Sequence, residues 1–238
     1  MKEIFRQIWQ DAKGQKGWDV LELPAAIAFR SPVTDVGAFN SIWGEPDQTG
    51  FEKIKKFQAG YKSFWYIDPQ ADTGLLPAQG LKLVSESPEM VLPLVNFAPH
   101  PLKNNIRLIK AGDEKTFACW KSIAAEAFAM ALRHVALFCD PFLPCANAHF
   151  YLAELNGVGA AVGMGHVAKQ WVGIFFIATL PEFRQKGLGR AVTEACLLAG
   201  KNSGAKSAVL YSSPAGLPLY QRLGFQETLR WNEYSKER

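Results

Sequence analysis

The sequence has few cysteines, no long apolar run and no block of basic residues. Its four cysteines show no C-x-x-C spacing, and no secretory leader precedes them, so we interpret them as reduced thiols in a cytoplasmic protein. Cys139 and Cys145 lie near His149, but their spacing fits no common zinc site, and no metal is expected. No uncharged apolar stretch approaches the roughly 18 residues of a membrane span, so no membrane association is expected.

The charge is mildly basic and evenly distributed. The formal net charge is +4, and 48% of the 238 residues are hydrophobic, which is typical of a globular domain with a large core. Without Lys/Arg blocks the chain is not expected to bind nucleic acid, whereas an anionic small ligand suits the charge. The composition leaves open whether the protein is a monomer or a homodimer.

A change of character near the middle of the chain predicts two domains. Residues 97–106 contain two prolines and a polar cluster without periodicity, which is typical of a linker. We therefore predict a smaller N-terminal α/β domain over residues 1–98 and a second domain over residues 104–238.

The second domain alternates strand and helix patterns. From residue 104 we predict a strand, a helix over 113–133, three strands, a helix over 188–199 ended by Gly200, a strand, a short helix and a last strand. Asn156-Gly157 separates the first two of the three strands and predicts a hairpin, and the late strand-helix-strand unit predicts parallel pairing. The fold class is α/β, with a central mixed sheet flanked by helices.

The N-terminal half contains a weaker version of this ending. Aligned by eye, Gly80 falls on Gly224, and Leu76 falls on Tyr220. The first half is therefore interpreted as a degenerate copy of the second half's ending, the alternative being that strand, turn and glycine recur by chance.

The loop at residues 184–189, Arg-Gln-Lys-Gly-Leu-Gly, carries three signals for a pyrophosphate. Glycines 187 and 189 permit close backbone approach, the start of the following helix offers free N–H groups, and the basic side chains Arg184, Lys186 and Arg190 add positive charge. A dinucleotide fold is the rival interpretation, because Gly187-Leu188-Gly189 resembles the start of G-x-G-x-x-G. It fits poorly, since Val192 replaces the third small residue and no ribose-binding acid follows the next strand.

Together with a second motif, this loop resembles the GNAT superfamily of N-acyltransferases. Residues 179–189 resemble its Q/R-x-x-G-x-G/A signature after a strand, and residues 219–225, Leu-Tyr-Gln-Arg-Leu-Gly-Phe, resemble its L-Y-x-x-L-G-F. The resemblance covers roughly residues 104–238.

The resemblance implies a binding site for acetyl-CoA as co-substrate. In the family the pantetheine arm bonds to main-chain groups of a strand that splays from its neighbour, and the pyrophosphate rests on the N–H groups of the loop. Ser213 stands where the family commonly has Asn, and Gly216 where it has Ala, although Ser213 can still donate a hydrogen bond near the coenzyme. The predicted coenzyme-binding residues are Ile177, Ala178, Thr179, Arg184, Gln185, Lys186, Gly187, Leu188, Gly189, Arg190 and Ser213.

The resemblance also implies that Tyr220 is the general acid that protonates the leaving thiolate; its alternative role is a core tyrosine. The general base is open, because the strand over residues 171–179 lacks the glutamate that family enzymes often use. His166, Glu154 or a water held by backbone carbonyls are the candidates. The predicted function is acetyl transfer to a primary amine of an unidentified acceptor, and the alternative is an inactive acyl-CoA-binding or sensing module.

Overall fold

A computed structural model gives the architecture of residues 4, 7, 18–32, 34, 40–71 and 74–236. The N-terminal half contributes five strands and two helices to the part of the chain described. They are β1 (Asp19–Glu22), β2 (Ala26–Arg30), β3 (Ser41–Gly44), α1 (Gln48–Phe57), β4 (Phe64–Ile67), α2 (Leu75–Ala78) and β5 (Lys82–Pro93).

The C-terminal half follows the predicted order of elements, with one additional helix. Its elements are β6 (Ile106–Lys110), α3 (Glu114–Ala127), α4 (Leu132–Cys139), β7 (Ala148–Leu155), β8 (Val158–Ala168), β9 (Trp171–Thr179), α5 (Leu188–Asn202), β10 (Ser207–Tyr211), α6 (Leu217–Arg222) and β11 (Gln226–Ser235). Asn156 and Gly157 both have positive φ, +51° and +83°, as the predicted hairpin turn between β7 and β8 requires.

The strands form a single mixed sheet. Its order is β1-β2-β3-β4-β11-β5-β10-β9-β8-β7-β6. The pairs β3–β4 and β9–β10 are parallel, and the other neighbours are antiparallel. The predicted α/β class with a central mixed sheet is confirmed.

Alternating side chains give the middle of the sheet two buried faces. On β10, Val209 belongs to the core cluster that contains Phe117 and Trp120 of α3, whereas Ala208 and Leu210 belong to the cluster that contains Tyr220 of α6. Helices α3 and α4 therefore cover one face, and α5 and α6 cover the other.

Two helix boundaries differ from the prediction. The helix expected over 113–133 ends at Ala127, because Ala129 adopts a left-handed φ of +49°, and α4 starts separately. Gly200 does not end α5: it is buried within the helix, where an added Cβ would lie 2.5 Å from Val172. The helix continues to Asn202 and is followed by Gly204, whose φ is +92°.

The two halves of the sheet are built alike. In each half an antiparallel pair, β2–β3 or β8–β9, leads to a helix, a parallel strand, a short helix and a long last strand. The last strands are exchanged: β5 pairs with β10, and β11 pairs with β4.

The aligned helix endings share one geometry. Leu81 N donates to Leu76 O at 3.1 Å, and Phe225 N donates to Tyr220 O at 3.0 Å. Gly80 and Gly224 have φ of +78° and +88°, which is the Schellman ending of a helix. These contacts support the interpretation of the first half as a degenerate copy.

The exchange of β5 also bears on the predicted domain boundary. Residues 97–106 do connect β5 to β6 without strand or helix up to Asn105. However, β5 lies before this segment in sequence and between β10 and β11 in the sheet. The division into residues 1–98 and 104–238 stays a prediction. In the sheet, strands of the two halves alternate at the centre, so neither half forms its part of the sheet without a strand of the other.

Candidate active site

A groove of about 810 Å³ runs along the end of β9, the start of α5 and the start of α6. All the residues predicted to bind coenzyme line it except Lys186. Tyr220 and Gly216 line it from α6, and Phe128 lines it from the end of α3. The structure thus brings the two motifs, which are some thirty residues apart in sequence, to one site.

The loop before α5 turns its backbone toward the groove. Gln185 and Gly187 both adopt left-handed conformations, with φ of +62° and +95°, and no side chain caps the helix. The N–H groups of the first turn have no intrahelical acceptor and carry the positive end of the helix dipole. The loop therefore presents several main-chain donors to an anion.

Gly189 keeps this part of the groove open. A Cβ added at Gly189 would lie 3.4 Å from Thr179 Oγ1 and 3.5 Å from Leu219. Those contacts are tolerable, but the added group would occupy the space between β9 and α6. The absence of a side chain leaves the backbone accessible to a ligand.

The basic side chains around the loop are held by specific partners. Arg184 Nε donates to Thr179 O at 3.2 Å, and Arg190 Nη1 donates to Glu194 Oε2 at 3.2 Å. Lys186 lies outside the groove lining, where its Nζ donates to Glu182 O at 2.8 Å and lies 5.2 Å from the centre of the Phe183 ring. Arg184 and Arg190 therefore place positive charge at the groove, and Lys186 adds it nearby.

Strand β9 separates from β10 beside the groove. The parallel pairing covers Ser207–Val209 of β10 against residues 171–173 of β9 and stops there. Further along β9, Phe176 has a φ of +52°, and the register with β8 shifts next to it. This bulge bends β9 away, which opens the gap that residues 177–179 line.

Tyr220 is fixed at the groove by its neighbours. It is 7% exposed, and its ring packs edge-on against Phe225, with centroids 5.7 Å apart. A Cβ at Gly216 would lie 2.9 Å from Tyr220 Cε2, so glycine at 216 makes room for the ring. Burial raises the pKa of the Tyr220 phenol above its ordinary value, which keeps the group protonated.

Ser213 shapes the turn that leads to Tyr220. Its Oγ accepts a hydrogen bond from Gly216 N at 3.2 Å. A hydroxyl that accepts still has its own proton to donate, so Ser213 can also donate into the groove that it lines.

The two side chains predicted as general bases lie outside the groove lining. His166 is fully buried against Phe142, with ring centroids 5.6 Å apart. Its strand register places it opposite Gly173, four residues before Ile177, which corresponds to about 13 Å along β9. Glu154 lies on β7, where Arg107 Nε donates to its Oε2 at 2.8 Å.

A carboxylate of the N-terminal half lies next to β10, although it does not line the groove. Glu89 of β5 lies opposite Tyr211, the last residue of β10. Only the exchange of β5 places it there, and the local sequence around Glu89 contains no motif that indicates this position.

The cysteines and the acidic residues form no metal cluster in the described ranges. No group of three or more His, Cys, Asp or Glu side chains with metal-binding geometry occurs there. Burial raises the pKa of the Cys139 and Cys196 thiols.

Among the described helices, none has the length and apolar character of a membrane span.

Comparisons with known proteins agree with this architecture. A GCN5-related N-acetyltransferase from Kribbella flavida is similar in structure over 100% of this chain and 94% of its own, with a TM-score of 0.78 and 18% identity. One from Sphaerobacter thermophilus covers 98% of this chain and 85% of its own, with a TM-score of 0.67 and 16% identity. A tandem GNAT protein from the clavulanic acid biosynthesis pathway covers 99% and 95%, with a TM-score of 0.60 and 10% identity.

These structures define the class: the chain has the fold of the GCN5-related N-acetyltransferases. The family model for an acetyltransferase (GNAT) domain matches residues 146–227, which include both motifs. The match to this family model therefore lies within the C-terminal half. No curated protein matches the sequence.

Proposed function

We propose that the protein is an N-acetyltransferase that uses acetyl-CoA and acetylates a primary amine. The observation that carries the proposal is the continuous groove from the loop at 184–190, through the gap beside β9, to Tyr220. Its main-chain donors and arginines fit a pyrophosphate, and the gap fits an extended pantetheine arm.

Each part of the groove has a role in this proposal. The N–H groups of the loop and the charges of Arg184 and Arg190 hold the phosphates. Main-chain groups of residues 177–179 orient the arm, and bound acetyl-CoA supplies the acetyl group as a thioester. Tyr220 donates its phenolic proton to the sulfur as the C–S bond breaks and the new C–N bond forms.

The acceptor amine must lose a proton before it attacks. Since His166 and Glu154 do not line the groove, a water held by backbone carbonyls is the base candidate that the geometry favours. The same observation supports the second candidate function, a module that binds acyl-CoA without turnover.

Thermal unfolding with acetyl-CoA and with NAD tests the coenzyme assignment. At 100 times its dissociation constant, a ligand stabilises the folded state by about 2.7 kcal/mol, so acetyl-CoA is expected to raise the Tm and NAD is not. Arg184→Glu should reduce the shift, whereas Arg133→Glu, an exposed arginine of α4 outside the groove, should not. The absence of any shift with acetyl-CoA would overturn the proposal.

A transfer assay over a panel of primary amines separates the two candidate functions. Acetylated product from any amine supports the enzyme. A coenzyme-dependent Tm shift without product from the panel supports the binding module.

A further inference from the structure

The groove has an apolar part that the proposed coenzyme contacts do not use. Ala127 and Phe128 line it from the end of α3, and neither belongs to the predicted coenzyme-binding residues. The Phe128 side chain is large and apolar, yet the residue is 44% exposed. Because the exposed ring lines a cavity, Phe128 is available to contact a bound molecule.

The turn that ends α3 holds the backbone of Phe128 in place. Met130 N donates to Ala125 O at 2.8 Å. Ala129 N donates to Glu126 O at 3.0 Å, and Ala129 has a left-handed φ of +49°. These bonds form the Schellman ending of a helix. Phe128 is the C-cap residue of this ending, so its backbone is fixed although its side chain is exposed.

Phe176 supports the Phe128 ring from the core. The two rings meet edge to face, with centroids 5.6 Å apart and an interplanar angle of 87°. The Phe176 ring also lies 5.1 Å from Phe138 and 5.8 Å from Trp120. Since Trp120 is fully buried, the exposed Phe128 ring rests on aromatic side chains that are anchored in the core.

Phe128 and Tyr220 reach the groove from opposite faces of the sheet. Phe176 packs against the core cluster that contains Trp120 of α3, and Phe128 contacts Phe176 on that side. Tyr220 belongs to the cluster on the other face, beside α5 and α6. Both Phe128 and Tyr220 line the groove that follows the gap between β9 and β10. A molecule bound in this gap would therefore have Tyr220 towards one face and Phe128 towards the other.

Among the described residues that line the groove, the charged side chains are all cationic. They are Arg184, Arg190 and Arg222. Glu126 and Glu182 are each next in sequence to a lining residue, but both are exposed and neither lines the groove. An ammonium group that stays charged in this groove would therefore leave water without a counter-charge from the groove lining.

This lining treats the two amino groups of a diamine differently. The reacting amine is neutral when it attacks the thioester, whereas the second amino group stays protonated at neutral pH. The missing carboxylate disfavours that second charge, and the Phe128 ring favours an apolar group in its place.

We propose that the acceptor is an apolar monoamine whose hydrocarbon part contacts Phe128. The inference rests on the proposed acetyl transfer and names the acceptor class for it. The transfer step is unchanged: the C–S bond breaks as the C–N bond forms, the surplus proton of the amine goes to water, and Tyr220 protonates the sulfur.

n-Hexylamine and cadaverine test this assignment on the unmodified protein saturated with coenzyme A. The two molecules have equally many non-hydrogen atoms, and they differ at the far end, where n-hexylamine has a methyl group and cadaverine a second ammonium. Without an acetyl group no turnover occurs, so calorimetric titration measures binding alone. We expect n-hexylamine to bind at least about tenfold more tightly. Equal binding, tighter binding of cadaverine or no binding of either amine would overturn the inference.

Phe128→Ala should weaken n-hexylamine binding about tenfold and change cadaverine binding by less than about twofold, because only n-hexylamine places a hydrocarbon end against the ring. In the transfer assay the KM for n-hexylamine should rise by a similar factor, with kcat within about threefold, since the contact is made in both ground and transition states. Leu132→Ala, which truncates an exposed apolar side chain of α4 outside the groove, is the matched control and should change none of these quantities. Unchanged n-hexylamine affinity in Phe128→Ala would overturn the role of Phe128.

Phe128→Glu supplies the carboxylate that the groove lacks. It should reverse the preference, so that cadaverine binds more tightly than n-hexylamine, because the second ammonium then has a counter-charge. A purely structural role of Phe128 would not produce this reversal. A Phe128→Glu protein that binds acetyl-CoA and still prefers n-hexylamine by the original factor would contradict the inference.

Acetyl-CoA binding, measured separately on the unmodified protein and on each variant, distinguishes the two levels of failure. If acetyl-CoA binds but the two amines bind equally, the inferred acceptor class is wrong and the proposed function stands. If acetyl-CoA does not bind to the unmodified protein, the proposed function fails whatever the amine titrations show.

Discussion

Tyr220 has the position and the protonation state that a general acid needs. It lines the groove, and burial raises its pKa above the ordinary value of 10.0. We expect Tyr220→Phe to lower kcat by roughly 10²-fold, with the affinity for acetyl-CoA nearly unchanged, because the ring and its packing remain. Steady-state kinetics and a coenzyme titration measure the two quantities.

The raised pKa of the Tyr220 phenol also predicts how the activity varies with pH. Only the protonated phenol can donate, and its raised pKa keeps it protonated as the pH rises from 7 to 10. Activity should therefore not fall over that range through loss of the Tyr220 proton. Tyr151→Phe is the matched control, since Tyr151 lies on β7 outside the groove, and equal activity in both variants would leave Tyr220 a packing role.

Residues carried by a local motif were predictable, and residues that depend on long-range pairing were not. The loop at 184–190 has glycines, basic side chains and a helix start in consecutive positions, and the structure places it at one groove. Glu89 has no such neighbourhood in sequence, because its partners Tyr211 and Trp231 are more than a hundred residues away. The candidate base His166 was predicted from its residue type alone. Its burial against Phe142 depends on the fold, and the sequence does not show it.

At the scale of elements, Gly200 determines how closely α5 packs on β9. A Cβ at this position would lie 2.5 Å from two carbon atoms of Val172, which is buried in the sheet. We expect Gly200→Ala to destabilise the protein by about 1–3 kcal/mol through overpacking, although alanine favours a helix. The free energy of unfolding in urea is the measurement.

Gly112→Ala provides the comparison for that variant. Gly112 has no heavy atom within 4 Å of an added Cβ, and its φ is not in the left-handed region. It should therefore be neutral or slightly stabilising. A Gly200→Ala protein as stable as Gly112→Ala would show that α5 can shift away from β9 without cost.

The positions of helices and strands with a strong local signal were predicted well from the sequence. The residues at which the helices end were predicted less well. The hairpin at Asn156-Gly157 and the strand over 171–179 were placed closely. The helix break at Ala129 was missed, since alanine gives no sign of a left-handed conformation. The prediction that Gly200 ends the helix is wrong, because the sequence alone does not distinguish a glycine that caps a helix from a glycine that lets the helix pack closely against a strand.

At the scale of the whole molecule, the sheet has an approximate twofold repeat, and the linear sequence gives no sign that the last strands of the two halves are exchanged. Both halves use the same order of strands, and the exchanged strands β5 and β11 meet at its centre. The N-terminal copy has Glu45 and Asp47 before its helix α1, where the C-terminal copy has arginines and a lysine. Acidic side chains disfavour a phosphate there, which supports one coenzyme site per chain.

The exchange of strands predicts the outcome of cutting the chain at its linker. Expressed alone, residues 104–238 would lack β5, leaving β10 and β11 without the strand between them. They would also lose Met90 and Leu94, which are each 1% exposed and contribute about 1.5–3 kcal/mol apiece when fully buried. Against a total stability of about 5–15 kcal/mol, with two open sheet edges, this fragment should be insoluble or unfolded.

Co-expression with residues 1–98 should restore a soluble complex that binds acetyl-CoA, since that fragment supplies β5 and accepts β11 beside β4. Co-purification, circular dichroism and the acetyl-CoA thermal shift measure this. A fragment 104–238 that folds alone, with the Tm and the coenzyme shift of the full chain, would instead establish two independent domains. In that case the pairing of β5 with β10 would be dispensable for the coenzyme site.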